Sequence, residues 1–162
     1  MVQAHLTELA QQLFAALRAR GLVAATAESC TGGLVAGAIT DIAGSSEIFD
    51  RGFVTYSNES KRDMLGVPEA LILAHGAVSA DVARAMAEGA LAHSRADLAV
   101  AITGIAGPGG GSAEKPVGLV HFALARRGAA TRHVERRFGP LTRSEIRESA
   151  VQQALEMLLS GA

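Results

Sequence analysis

Three short stretches hold most of the side chains that could take part in catalysis. The first, "TAESCTGG" at residues 26–33, places Ser29 and Thr31 beside a thiol and two glycines, directly after an apolar run. A strand that leads through such a turn into a helix presents backbone N–H groups at the positive end of the helix dipole. An anion or a nucleophile would fit there, although the same residues are also typical of an ordinary helix cap.

The second stretch, "GSSEIFDRGFVTYSNESK" at residues 44–61, contains Ser46, Tyr56 and Lys61. These side chains could act as a nucleophile, a proton relay and a base. A lysine is a useful base only where burial or nearby positive charge lowers its pKa towards neutrality. Spacing alone favours the simpler interpretation, in which Lys61 is a solvated helix residue like most lysines.

The third stretch, "TGIAGPGG" at residues 103–110, joins Thr103 to glycines that let backbone N–H groups approach a ligand closely. It could hold a phosphate or a flat ring. No Gly-Lys-Ser/Thr follows it and it contains no GxGxxG, so it is neither a P-loop nor a dinucleotide fingerprint. Arg143, in the first turn of the last predicted helix, could pair with a phosphate, although exposed arginines are more often solvated.

The elements that position these stretches are predicted from the spacing of apolar residues and from turn signals. Helices are predicted at 3–19, 59–66, 68–75, 80–96 and from Thr142 onwards, with a turn and helix over 29–44. Strands are predicted at 22–28, 47–57, 97–104, 117–125 and 131–138. Alternating strands and helices favour parallel pairing, and the late hairpin adds an antiparallel pair. We therefore predict a single domain over residues 1–162 with an α/β fold, its mixed parallel/antiparallel sheet sandwiched by helices.

Composition excludes several classes of partner. Fifteen basic and sixteen acidic residues leave a formal net charge of -1, which argues against nucleic acid and anionic membranes as partners. No stretch has the continuous apolar character of a signal peptide or a membrane span, and the single cysteine suits a reducing compartment, so we predict a cytoplasmic protein. The five histidines have no metal-ligand spacing, which predicts no metal site.

Taken in order, "TAESCTGG", "GSSEIFDRGFVTYSNESK", "GAVS" and "TGIAGPGGGSAEKPVG" closely resemble the C-terminal domain of the CinA family, over about residues 5–158. The resemblance implies a CinA C-terminal-like fold. It also implies hydrolysis of the carboxamide of nicotinamide mononucleotide to nicotinate mononucleotide and ammonia, as a step in NAD recycling. Members of the family are regarded as serine amidohydrolases that use a Ser/Lys dyad with no metal and no cofactor.

Carried onto this chain, the resemblance makes Lys61 the base. Ser29 and Ser46 both lie in matching motifs, and Ser29 is favoured as nucleophile because a strand-to-helix turn presents it rigidly beside N–H donors. Ser46 is then a relay or a substrate ligand, Tyr56 tunes Lys61 or stacks on the pyridine ring, and Thr103 helps to hold the oxyanion. The residues expected to bind the substrate are Thr31, Gly32, Gly33, Gly104, Gly107 and Arg143.

Two alternatives remain open from the sequence. Cys30 could be the nucleophile, because a helix N-terminus lowers the pKa of a thiol. The chain could also be a non-catalytic nucleotide-binding or competence-associated regulatory module that keeps the pocket without the chemistry. Assembly is open too, since small residues on the predicted helices could pack between subunits, and members of the family are commonly homodimers.

Overall fold

The structure, a computed structural model, describes residues 3–162. The helices are α1 (Ala4–Arg20), α2 (Leu34–Thr40), α3 (Asn58–Leu65), α4 (Glu69–His75), α5 (Ala80–Ala92) and α6 (Arg143–Gly161), with a 3₁₀-helix at Ser45–Glu47. The strands are β1 (Ala24–Glu28), β2 (Phe49–Val54), β3 (Leu98–Gly104), β4 (Leu119–Arg126) and β5 (Arg132–Arg137).

The strands form one sheet in the order β2-β1-β3-β4-β5. β1 pairs in parallel with both β2 and β3, whereas β3, β4 and β5 pair antiparallel. The predicted combination of parallel and antiparallel pairing is therefore confirmed. Because β1, β2 and β3 run in the same direction, their carboxyl ends meet at one edge of the sheet.

Hydrophobic cores lie on both faces of the sheet. Val100 and Ile102 of β3 belong to the core that α1, α2 and α6 cover. Ala99 and Ala101, which alternate with them along the same strand, belong to the core beneath α5. A strand between two layers of helices needs apolar side chains on both faces, which explains the continuous apolar run in the sequence of β3.

The short helix α3 is held at both ends and against α5. Ser57 and Ser60 form a capping box at its N-terminus, and Gly66 ends it with a left-handed backbone at φ +69°. Leu65 is buried. A Cβ on Gly89 of α5 would lie 2.0 Å from the Leu65 carbonyl oxygen, so only glycine allows this close approach. The position of α3 matters because this helix carries Lys61.

Several of the predicted elements are shorter in the structure, among them the helix predicted at 80–96, which ends at Ala92. The segment predicted as a turn and helix at 29–44 contains only Leu34–Thr40 as α-helix, because the capping turn and a further turn before the 3₁₀-helix use the remaining residues. The strand predicted at 47–57 ends at Val54. The chain leaves the sheet there, which allows the next residues to cap α3.

Candidate active site

Ser29 follows the last residue of β1, at the edge where the parallel strands end. Its backbone N–H donates to the carbonyl oxygen of Ile102 on β3 at 2.9 Å. On the other side of β1, the N–H of Thr55 donates to the carbonyl oxygen of Glu28 at 2.8 Å. Three strand ends are thereby locked together, and the segments that follow them converge on one place.

Lys61 reaches this place from the first turns of α3 and is 1% exposed. Its Nζ lies 3.0 Å from Ser29 Oγ, 2.7 Å from the carbonyl oxygen of Thr55 and 3.5 Å from that of Tyr56. A neutral amine has two N–H donors and one lone pair. The two carbonyl oxygens can accept both N–H groups, which leaves the lone pair for the Ser29 hydroxyl.

Burial lowers the pKa of Lys61 from 10.5 to about 8, because removal from water disfavours the charged amine. No salt bridge within residues 3–162 includes Lys61. A minority of the amine, on the order of a tenth at pH 7, is therefore neutral, far more than for a lysine in water. The interpretation of Lys61 as a solvated helix residue is wrong, and the side chain meets the requirement for a general base.

Cys30, next to the serine, has the opposite character. Its side chain is buried, and burial raises the pKa of the thiol from 9.0 to about 11. The nucleophile of a cysteine enzyme is the thiolate. At neutral pH Cys30 is a thiol, so the geometry and charge of the site favour Ser29 over Cys30 as nucleophile.

The N-terminus of α2 differs from the sequence-based expectation. The buried carboxylate of Glu28 accepts hydrogen bonds from the amides of Gly33 at 3.2 Å, Val35 at 2.9 Å and Ala36 at 3.0 Å. It also accepts from the hydroxyl of Thr31 at 2.7 Å. These N–H groups are therefore occupied by a side chain of the protein itself. The prediction that these N–H groups are free to bind an anion from outside the protein is therefore wrong.

Three residues that were predicted to bind the substrate do not lie at the cavity in this arrangement. Thr31 is fully buried with its hydroxyl committed to Glu28, and Gly32 and Gly33 do not line the cavity at Ser29. Sequence reasoning missed the role of Glu28. The available signal was a charged residue at the end of an otherwise apolar strand, since a buried carboxylate requires several hydrogen-bond donors.

A cavity of about 190 Å³ opens beside Ser29 and Lys61. Its volume is below the range common for drug-sized ligands, so it suits a small ring better than a whole nucleotide. The predicted site residues that line it are Ser29, Lys61, Tyr56, Thr103, Gly104 and Arg143, together with Cys30. The loop after α4 contributes Ala77 and Val78 to its wall; both lie in the motif "GAVS", but the sequence assigned them no role.

Thr103 has a different neighbour from the one expected of an oxyanion donor. Its hydroxyl donates to the carbonyl oxygen of Ala77 at 2.9 Å. A hydroxyl has one proton to donate, so Thr103 in this arrangement supports the cavity wall. Gly104 lines the cavity directly, at the end of β3.

Arg143 and Tyr56 meet at the rim of the cavity. The guanidinium of Arg143 donates to the carbonyl oxygen of Gly107 at 2.7 Å and to the hydroxyl oxygen of Tyr56 at 3.4 Å. Tyr56 is 64% exposed. The predicted ligand Gly107 thus lies beside the cavity, where its carbonyl oxygen holds Arg143.

Ser46 is not brought together with this cluster within one chain. It is exposed and lies in the 3₁₀-helix that precedes β2, at the amino end of that strand, whereas Ser29 follows the carboxyl end of the parallel strand β1. The six residues of β2 span roughly 20 Å. The expectation that Ser46 acts as a relay or substrate ligand beside Ser29 is therefore corrected.

Arg147 is a further contact of the nucleophile turn that the sequence did not indicate. From α6, its Nε donates to the carbonyl oxygen of Cys30 at 3.0 Å, and its Nη2 donates to that of Thr31 at 3.3 Å. The contact joins residues more than a hundred positions apart. No local pattern could have predicted it.

Residues 3–162 contain no cluster of three or more His, Cys, Asp and Glu side chains that could hold a metal ion. Within the same range, no helix combines the length and apolar character needed to cross a membrane.

The fold and the site define an α/β protein with a buried serine–lysine pair where its parallel strands end. The chain belongs to the CinA C-terminal domain family, whose model matches residues 6–161. It is 54% identical over 159 residues to the nicotinamide-nucleotide amidohydrolase PncC of Escherichia coli strain K12, covering 98% of this chain and 95% of that protein.

Other relatives are longer or have known structures. The chain is 55% identical over 143 residues to a CinA-like protein of Akkermansia muciniphila, covering 88% of this chain and 34% of that protein, so it spans about a third of that relative. The crystal structure of competence/damage inducible protein CihA from Agrobacterium tumefaciens superposes with a TM-score of 0.97 at 56% identity, covering 99% of this chain and 97% of that one.

Proposed function

We propose that this protein hydrolyses the carboxamide of nicotinamide mononucleotide to nicotinate mononucleotide and ammonia, with Ser29 as nucleophile and Lys61 as general base. The observation that carries the proposal is the 3.0 Å distance between Ser29 Oγ and Lys61 Nζ, a buried amine whose pKa is about 8. The similarity to the Escherichia coli amidohydrolase over almost the whole of both chains supports the choice of substrate.

The first half of the reaction forms an acyl-enzyme. Neutral Lys61 takes the proton of the Ser29 hydroxyl, and the oxygen attacks the carboxamide carbon to form a tetrahedral intermediate. The protonated Lys61 then gives its proton to the amide nitrogen. The carbon–nitrogen bond breaks, ammonia leaves, and the nicotinoyl group remains as an ester of Ser29.

The second half uses water in place of the serine. Lys61, again neutral, takes a proton from a water molecule that attacks the ester carbon. The proton returns to Ser29 Oγ as the carbon–oxygen bond breaks. The product leaves as a carboxylic acid that loses its remaining proton to water or to the released ammonia, which gives nicotinate mononucleotide, and both residues are restored to their starting protonation states.

Backbone amides of the turn that follows Ser29 are the best candidates for oxyanion donors. The N–H groups of Cys30 and Thr31 donate to no backbone carbonyl oxygen among residues 3–162, whereas the first amides of α2 are bound to Glu28. In acyl transfer, preorganised N–H groups next to the nucleophile stabilise the charge that develops on the substrate oxygen.

The rim suits the remainder of the nucleotide. The cavity is small enough that ribose and phosphate would lie outside it, near the exposed Tyr56 and the guanidinium of Arg143. An arginine is well suited to a phosphate because its planar fork can donate two parallel hydrogen bonds. The pyridine ring would then lie inside, against Ala77 and Val78.

The proposal is tested by ammonia release from nicotinamide mononucleotide in metal-free buffer containing EDTA, with nicotinate mononucleotide identified as the second product. We expect stoichiometric formation of both products. Nucleotide binding without ammonia release would instead support the alternative of a non-catalytic regulatory module. Nicotinamide riboside and free nicotinamide are assayed in parallel. Their rates show whether the enzyme requires the phosphate and the ribose of the substrate.

Replacing Arg143 with alanine is expected to raise KM for nicotinamide mononucleotide by about 10- to 100-fold while kcat changes by less than about threefold, because a phosphate contact is made equally in the ground state and the transition state. Steady-state kinetics measure both constants. For nicotinamide riboside, which has no phosphate, the variant and the wild type should have similar kcat/KM values.

Arg136→Ala is the matched control, since Arg136 is exposed and contacts Gln153, away from the cavity. It should leave both constants unchanged. If Arg143→Ala lowered kcat and left KM as in the wild type, phosphate binding by Arg143 would be rejected.

A further inference from the structure

Arg147 contacts the nucleophile turn, which we define as residues 29–33, without lining the cavity. Ser29 and Cys30 line the cavity, whereas Arg147 lines a separate groove on the outer side of α2 and α6. Arg147 itself is absent from the cavity wall. Its hydrogen bonds to the turn connect it to Ser29.

One of its two hydrogen bonds polarises the peptide group between Cys30 and Thr31. The only cis peptide bonds within residues 3–162 are those before Pro108 and Pro140, so this peptide is trans and its carbonyl oxygen and N–H point in opposite directions. The guanidinium of Arg147 on the Cys30 oxygen draws electron density from the N–H of Thr31. That N–H is one of the two proposed oxyanion donors.

The second hydrogen bond fixes the backbone of the turn. Arg147 Nη2 donates to the Thr31 oxygen, which belongs to the same peptide group as the N–H of Gly32. That N–H donates to the carbonyl oxygen of Ser29 at 3.1 Å. The two hydrogen bonds are thus arranged in series, and the first strengthens the second as a constraint on Ser29.

The turn is consequently held between two opposite charges. Glu28 accepts from the Thr31 hydroxyl and from the Gly33 amide. Arg147 donates to the carbonyl oxygens of Cys30 and Thr31. The negative group binds only donors of the turn and the positive group only acceptors, so both favour the same backbone conformation.

We propose that Arg147 is a positioning residue for the amidase reaction: it holds the nucleophile turn in its reactive conformation and strengthens the Thr31 amide as a donor to the oxyanion. The inference rests on the proposed function. It assigns to Arg147 an effect on kcat through the turn, without any contact with the substrate.

The test is steady-state ammonia release by Arg147→Met. We expect kcat to fall about 10- to 100-fold, the size of effect that a small misplacement of reacting groups produces, with KM changed by less than about threefold. The pH midpoint of kcat/KM should stay near that of the wild type, because Lys61 keeps its surroundings. Added methylguanidinium should restore part of the lost kcat by occupying the vacated position.

Arg147→Lys is the second variant. It keeps the positive charge, but one ammonium group cannot reproduce the planar fork that reaches two carbonyl oxygens. We expect a kcat between those of the wild type and Arg147→Met. This variant also keeps the inference testable if Arg147→Met does not fold.

Arg127→Met is the matched control. Arg127 makes the same kind of contacts elsewhere, from Nε to the carbonyl oxygen of Ala96 at 2.9 Å and from Nη2 to that of Leu91 at 3.1 Å. Both methionine variants should have a lower Tm than the wild type. At temperatures well below either Tm, only Arg147→Met should have a reduced kcat.

The outcomes separate this inference from the proposed function. An active wild type together with wild-type kcat in a folded Arg147→Met, or in Arg147→Lys if the methionine variant does not fold, overturns the role of Arg147 and leaves the amidase intact. A wild type that binds the nucleotide and releases no ammonia overturns both.

Discussion

Replacing Ser29 with alanine is expected to lower kcat for ammonia release from nicotinamide mononucleotide by at least about 10³-fold, because removal of a nucleophile eliminates the acyl-enzyme route. The residual rate would come from binding and from the oxyanion donors alone. The measurement is product formation over hours at high enzyme concentration. Folding of the variant is checked by its thermal unfolding, which should change little because the hydroxyl is small.

Ser46→Ala and Cys30→Ala are the controls for this experiment. Ser46 is exposed at the other edge of the sheet, and Cys30 is a buried thiol with a raised pKa, so both variants should keep kcat within about threefold of the wild type. Rapid quenching of the wild type should reveal a nicotinoyl adduct on the peptide that contains Ser29. An adduct on the peptide of Ser46, or an inactive Cys30→Ala that is folded, would contradict the assignment of the nucleophile.

Replacing Lys61 with methionine is expected to cost a similar factor in kcat, and the effect should depend on pH. The reactive form of Lys61 is the neutral amine, which predominates above its pKa of about 8. For the wild type, kcat/KM should therefore rise as the pH increases through about 8 and then level off. Lys61→Met should have low activity with no such rise. A wild-type profile without a rise between pH 7 and 9 would contradict the role of Lys61 as base.

The same shift in pKa predicts how stability depends on pH. The pKa of Lys61 is about 8 in the folded chain and near 10.5 in the unfolded chain, so the unfolded chain binds more protons between these values and stability rises with pH there. Burial of the charged amine costs on the order of 3 kcal/mol below pH 8. This cost disappears as the pH rises from 8 to 10.5.

Urea unfolding of the wild type and Lys61→Met at pH 7 and pH 10 measures this effect. Methionine has a similar length and carries no charge, so Lys61→Met should be the more stable protein at pH 7. The difference in the free energy of unfolding should become smaller at pH 10. An unchanged difference would mean that the amine is solvated in the folded protein and that its pKa is not lowered.

The position of the site follows from strand direction. β1, β2 and β3 run parallel, with β1 between the other two, so Ser29, Thr55 and Gly104 all lie at one edge of the sheet. An α/β sheet commonly binds ligands at the carboxyl ends of its parallel strands. Each of the three motif stretches includes the carboxyl end of one of these strands: "TAESCTGG" begins within β1, the second stretch contains β2, and "TGIAGPGG" begins within β3.

Local sequence rules predicted the elements well and their ends less well. The start of the last helix was predicted at Thr142, and in the structure Thr142 caps that helix through a capping box with Glu145, whose partners lie within one turn of helix. The end of β2 was misplaced by three residues, from 57 to Val54. Where a strand ends depends on its neighbours in the sheet, which a local pattern does not contain.

In the candidate site, too, local patterns identified suitable residues, whereas their contacts depend on the folded structure. The motifs identified Ser29, Thr103, Gly104 and Arg143 as chemically suitable, and the structure brings these residues to one cavity. The sequence also suggested free amides at the start of α2, but Glu28 occupies them. A side chain eight residues before the last of these amides satisfies them, and only the folded turn reveals this.

By itself, the sequence determined the order of helices and strands, the mixed pairing of the sheet, and the short stretches that hold nucleophile, base and glycine loop. These properties depend on spacing and on contacts within a turn. Only the tertiary structure decided that Lys61 is buried, that Ser46 lies at the far edge, and that Arg147 binds the nucleophile turn. Burial and charge depend on neighbours that are distant in the chain, and the pKa of a lysine is set by the solvent that those neighbours exclude.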